Sequence, residues 1–152
     1  MSARSAPLRE QQMLLKLREL RLDQAQRHWQ ERQRELARLQ AEREAHHQRW
    51  QGLLSQRRAL LGWGQGLGAG VRPVINGYQA ARQADLDDLS ERAEYDVIDT
   101  DELIRDAQRA CDEAHAQWVR AMAQAEAVRT LLAQTRKQAR QLAERRQEQE
   151  LA

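Results

Sequence analysis

The stretch GWGQGLGAGVRPVING, residues 62–77, decides how this chain folds. Six of the seven glycines fall inside it, with Pro73, and the seventh, Gly52, lies just upstream. Glycine and proline are the residues least compatible with a helix interior, so the stretch reads as punctuation between two helical arms. The first arm is expected over residues 8–61, with Pro7 at its first turn, where a missing N–H costs nothing. A Gly-rich tip follows over residues 62–78, and the second arm runs over residues 79–149. At 1.5 Å per residue the first arm would be roughly 80 Å long.

Both arms carry a seven-residue apolar repeat. Steps of seven from Leu8 meet Leu15, Leu22, Trp29, Leu36, Arg43 and Trp50, and a companion row holds Ala25, Leu39, His46, Leu53 and Leu60. This is the a/d seam of a coiled coil with polar intruders at Arg18, Arg32, Arg43 and His46. The second arm offers Val97, Ile104, Cys111, Trp118, Ala125, Leu132 and Ala139, beside Thr100, Ala107, Ala114, Ala121, Val128, Thr135 and Leu142. Its small residues are suited to receive the large Leu and Trp side chains of the first arm. The predicted fold is therefore all-α, an antiparallel two-helix coiled-coil hairpin in one domain over residues 1–152, and its register sets Trp118 near Trp29 or Leu22. Around residues 95–100 the β-branched Val97, Ile98 and Thr100 mix with aspartates, all mediocre helix formers. A local bend or break is expected there, with Asp99 and Glu102 spaced to cap a restarted helix.

Composition agrees with that reading. The chain is 32% charged and has six aromatics and no Phe, too little bulk for the core of a compact enzyme. The single cysteine, Cys111, excludes an internal disulfide and falls on a seam row, which predicts a small buried thiol. No apolar run approaches the roughly 20 residues of a membrane span. The first residues lack the apolar core of a signal peptide, which predicts a cytosolic location.

Charge is uneven along the chain. Residues 85–113 hold twelve acidic and three basic residues, whereas residues 1–61 hold thirteen basic and seven acidic ones. In an antiparallel pairing the acidic stretch faces Arg32, Arg34, Arg38, Arg43, Arg49, Arg57 and Arg58, so charge should help set the register. Positive charge is left over at the open end. Arg4, Arg9, Lys16, Arg18 and Arg21 lie there beside Arg136, Lys137, Arg140, Arg145 and Arg146.

Catalytic and metal motifs are missing. The alternate glycines of residues 62–70 lack the GxxxxGK[ST] order of a phosphate loop. His28, His46, His47 and His115 show neither HxxxH nor HExxH spacing, and the aspartates of residues 85–101 lack an EF-hand's glycine and terminal glutamate. No enzyme, cofactor or metal is implied. Two binding surfaces are: the basic open end (Arg9, Lys16, Arg18, Arg21, Arg140, Arg145, Arg146) and the apolar tip (Trp63, Leu67, with Val71, Val74, Ile75 and Tyr78). From residue 59 to 81 the only charge is Arg72, but the segment is too short and Gly-rich for membrane insertion. Interleaved glutamates break the basic faces, so specific nucleic-acid binding is not expected.

Residues 14–27 read LLKLRELRLDQAQR. With the chain's size and Arg/Gln-rich hairpin pattern, this resembles the start of the YscO-type proteins of bacterial type III secretion, relatives of the flagellar FliJ proteins. The resemblance implies a non-enzymatic central stalk, similar to that of the rotary ATP synthase, inserted in the pore of a hexameric secretion ATPase. Its implied further partners are an export gate protein and secretion chaperones, at the inner-membrane secretion apparatus. The basic open end would enter the pore and the tip would reach toward the gate. The Gly-rich tip departs from any motif of that family. The alternatives are a coiled-coil scaffold or stator of another assembly, a phage scaffold among them, and a weak nucleic-acid binder.

Overall fold

A computed structural model describes residues 6–63 and 72–152. They form two helices, α1 (Ala6–Gly62) and α2 (Arg72–Leu151), and no strand is present among the described residues. The chain is an all-α, antiparallel helical hairpin. By contact it divides into two compact units, one made of Met1–Gln33 with Ala110–Ala152, the other of Arg34–Arg109.

The first unit is joined by packing. Ala125 is 0% exposed, and Ala114, Val128 and Leu132 are also buried. Facing them, Leu15, Leu22, Ala25 and Trp29 are half-buried at the heptad positions the sequence assigns. Trp29 stacks on Trp118 with ring centroids 4.8 Å apart and planes 14° from parallel, a geometry that contributes beyond area burial alone. His115 abuts the edge of Trp29 at 5.0 Å. The alanine row allows this close approach because a methyl group leaves room for an indole from the facing helix.

In the second unit the buried set is Leu39 of α1 with Leu86, Ser90, Ala93, Val97 and Thr100 of α2. Charge crosses the seam here. Arg43 Nε donates to Asp101 Oδ1 at 2.5 Å, and Arg49 Nη2 donates to Asp96 Oδ2 at 2.5 Å. Arg57 Nε lies 3.0 Å from Asp87 Oδ1, close enough for an ion pair but without hydrogen-bond alignment.

Three expectations change. The second arm starts at Arg72 rather than near residue 79, so Pro73, Asn76, Gly77 and Tyr78 belong to α2 rather than to the tip. Pro73 sits in the opening turn, where its fixed φ suits a helix and its missing N–H has no intrahelical partner to lose. No bend or break interrupts α2 at residues 95–100. Val97 and Thr100 are 6% and 5% exposed, and Thr100 Oγ1 donates to the carbonyl of Asp96 at 2.7 Å. Seam burial outweighs propensity differences of a few tenths of a kcal/mol, so the Asp99 and Glu102 capping box goes unused. Arg38 does not face α2. It pairs within α1, with Glu35 and Glu42 at 2.5 Å each, and these acids raise its pKa, the hydrogen bond to Glu35 first.

Candidate partner-binding site

The basic set lies in the first unit. Arg9, Lys16 and Arg21 on α1 and Arg140, Arg145 and Arg146 on α2 are exposed. Arg18 differs. It occupies a seam position, is half-buried, and its Nη1 donates to Gln124 Oε1 of α2 at 2.8 Å. Its guanidinium therefore serves the pairing of the two helices. Beside it Arg129 Nη2 reaches Glu19 Oε1 at 3.4 Å and its Nη1 reaches Glu126.

On α1 each exposed position follows from the heptad. With Leu8, Leu15 and Leu22 at a, the residues Lys16 and Arg9 take b and Arg21 takes g, flanking the seam and outside it. On α2 every residue from 136 to 152 is exposed. Lys16, Arg21, Arg140, Arg145 and Arg146 have no ion-pair partner among the described residues. Clustered charge without a counter-charge attracts an anionic surface and sets association rate and specificity more than affinity.

The apolar tip lies in the second unit. Trp63 is 48% exposed and meets Tyr78 with ring centroids 5.7 Å apart and planes at 57°. Gln79, absent from the sequence reading, holds this end: its Nε2 donates to the carbonyls of Leu60 and Trp63. The Leu60 carbonyl lies in the last turn of α1 and that of Trp63 just past its end, where intrahelical donors run out, so the amide caps the helix end. A shallow groove of about 410 Å³ is lined by Ala59, Leu60, Trp63, Tyr78 and Leu86. Val74 is exposed and Ile75 half-buried, while Leu67 and Val71 lie outside the described residues. The basic set and the tip belong to different units and form two separate candidate surfaces.

The remaining candidates have structural settings. Cys111 is buried at its seam position. His46 Nδ1 lies 4.0 Å from Asp96 Oδ2, and His47 meets the edge of Trp50 at 6.0 Å. Among the described residues no three His, Cys, Asp or Glu side chains converge in a metal-binding group. No helix among them is long and apolar enough to cross a membrane.

Sequence reasoning missed a second apolar stripe on α1. Met13, Leu17 and Leu20 are 70%, 43% and 55% exposed, and they take the f and c positions of the heptad. The signal was present, since LLKLREL places leucine more often than one seam can absorb.

Comparison of the chain with protein families, curated proteins and solved structures finds no match. The resemblance to the YscO and FliJ proteins thus rests on residues 14–27 and on the hairpin pattern.

Proposed function

We propose that the chain is a non-enzymatic adaptor, the central stalk of a hexameric type III secretion ATPase. In this reading the end of the first unit enters the ATPase pore. Trp63 and Tyr78 present an apolar contact to an export gate protein or to secretion chaperones. The observation that carries it is the exposed basic set Lys16 and Arg21 on α1 and Arg140, Arg145 and Arg146 on α2, none of which has an ion-pair partner among the described residues although glutamates are interleaved with them. Like charges held together cost free energy unless a partner supplies the opposite sign, and a pore lined with carboxylates supplies it. Arg18 contributes by fixing the helix pair through Gln124, and Arg9 extends the basic face.

The test is binding to, and stimulation of, a purified secretion ATPase by the wild-type chain and by a Lys16→Glu, Arg21→Glu, Arg140→Glu, Arg145→Glu variant. Loss of both activities in the variant, and weaker wild-type binding as salt rises, are the expected results. Wild-type behaviour of the variant at low salt would exclude the basic end as the contact.

A further inference from the structure

Two exposed patches on this chain each have an apolar centre and carry net rim charges of opposite sign. The first is the stripe of Met13, Leu17 and Leu20, at i, i+4 and i+7 on the face of α1 that turns away from the Leu15 and Leu22 seam. An apolar stripe at that spacing is the face a helix normally buries. Lys16 and Arg21 border it, exposed and with no ion-pair partner among the described residues; Arg9 flanks it too, and the exposed Glu10 and Asp23 lie one turn from Met13 and Leu20, so the rim is mixed with a net positive charge.

The second patch is on the outward face of α2 in the second unit. Tyr95 and Ile98 are 56% and 46% exposed and are neighbours at i, i+3. Four carboxylates surround them, Glu91 and Asp99 one turn before and after Tyr95 and Glu94 and Glu102 one turn before and after Ile98, while the one cation within a turn of Tyr95 on α2, Arg92, is paired with Asp88, so the rim is net acidic. All four are exposed and lack an ion-pair partner among the described residues. The contrast with the inner carboxylates of the same stretch is sharp, because Asp87, Asp96 and Asp101 are engaged by Arg57, Arg49 and Arg43. The acidic stretch therefore exceeds what register-setting within the hairpin uses.

We propose that the basic-rimmed stripe of one copy docks on the acid-rimmed Tyr95 and Ile98 patch of a second copy. The occupant is argued from the match: each patch has an apolar centre of two or three side chains within about three helical turns, and the rims are opposite in sign. A contact between two different patches is heterologous, so successive copies add head to tail or close a ring. The contact is independent of the ATPase reading. If both hold, self-association covers Lys16 and Arg21 and must be released for pore entry.

Sedimentation velocity of the purified chain alone, over a range of concentrations at low and high salt, tests this without any ATPase. The expected result is a weight-average mass above the 17.7 kDa of one chain that rises with concentration and falls as salt rises. Three variants, each checked for wild-type helicity by circular dichroism, assign the faces. Lys16→Glu with Arg21→Glu, and separately Glu91→Lys with Glu102→Lys, should each lose the association. The chain carrying all four reversals should regain it, because both rims have changed sign together. A monomer at every concentration at low salt overturns the proposal, as does association that survives either pair or fails to return in the fourfold variant.

Discussion

The two units solve the same problem, fixing one register between two helices, with different means. In the first, aromatic stacking and alanine-lined close approach dominate: Trp29 lies on Trp118, and Ala114 and Ala125 are all but inaccessible. In the second, three arginines of α1 reach three aspartates of α2 across a seam that also buries Leu39, Leu86, Ala93 and Val97. Packing is short-ranged and tolerates no shift, whereas partly exposed ion pairs add specificity and little net stability. Both units should therefore be sensitive to side-chain volume, the first most of all at its indole stack, while the second should carry most of the sensitivity to charge and salt.

The largest effect is expected at the indole stack. Trp118→Ala should destabilise the chain by about 2–3 kcal/mol, below the usual figure for a fully buried tryptophan because Trp118 is half-buried. Urea denaturation followed by circular dichroism measures it, and an unchanged midpoint would break the assignment of packing to the first unit. Overpacking the same seam should cost somewhat less. Ala125→Leu adds three heavy atoms where nothing is exposed, and a loss of about 1–3 kcal/mol is expected in the same denaturation series.

Charge in the second unit ranks lower. A double-mutant cycle on Arg43→Ala and Asp101→Ala should give a coupling of about 0.5–1 kcal/mol, since both side chains are more than a third exposed. That coupling should shrink at high salt, while the effect of Trp118→Ala should not. Equal salt responses would erase the distinction between the units.

The smallest effect has the opposite sign. A Cβ at Gly52 meets nothing within 4 Å, and the position lies inside α1. Gly52→Ala should therefore raise stability by about 0.5–1 kcal/mol through helix propensity and a less flexible unfolded chain.

How much of this was legible depends on the signal each feature leaves. The seams were readable because Leu, Trp and Ala recur every seven residues, and the turn position narrows the partner of Trp118 to Trp29 or Leu22, of which the fold uses Trp29. The charged pairs were only half readable. Counting charges joins the acidic stretch to all the arginines opposite, but among the described residues the ion pairs across this seam are made by Arg43 and Arg57 at a and Arg49 at g. Arg38 sits at c, faces outward, and is held by its own helix. Helix propensity misled twice, at Pro73 and at Val97 to Thr100. In the first case the opening turn suits proline, and in the second burial of the side chains decides. For the candidate sites, exposure of the basic set was legible from the heptad, except that Arg18 is a seam residue bonded to Gln124. Gln79 was not legible, because a glutamine that caps a helix sixteen residues upstream leaves no local pattern.

The central claim is the antiparallel register that places Trp29 against Trp118, from which the exposed faces and both proposed contacts follow. Disulfide cross-linking tests it directly, with Cys111→Ser removing the native thiol. Under mild oxidation, Trp29→Cys with Trp118→Cys should close an intramolecular bond, read by mass as a single chain lighter by two hydrogen atoms. A Leu22→Cys or Leu36→Cys partner for Trp118→Cys, one heptad away and displaced by about 10 Å, should not. Efficient intramolecular closure by a displaced pair, with none between positions 29 and 118, would contradict the account.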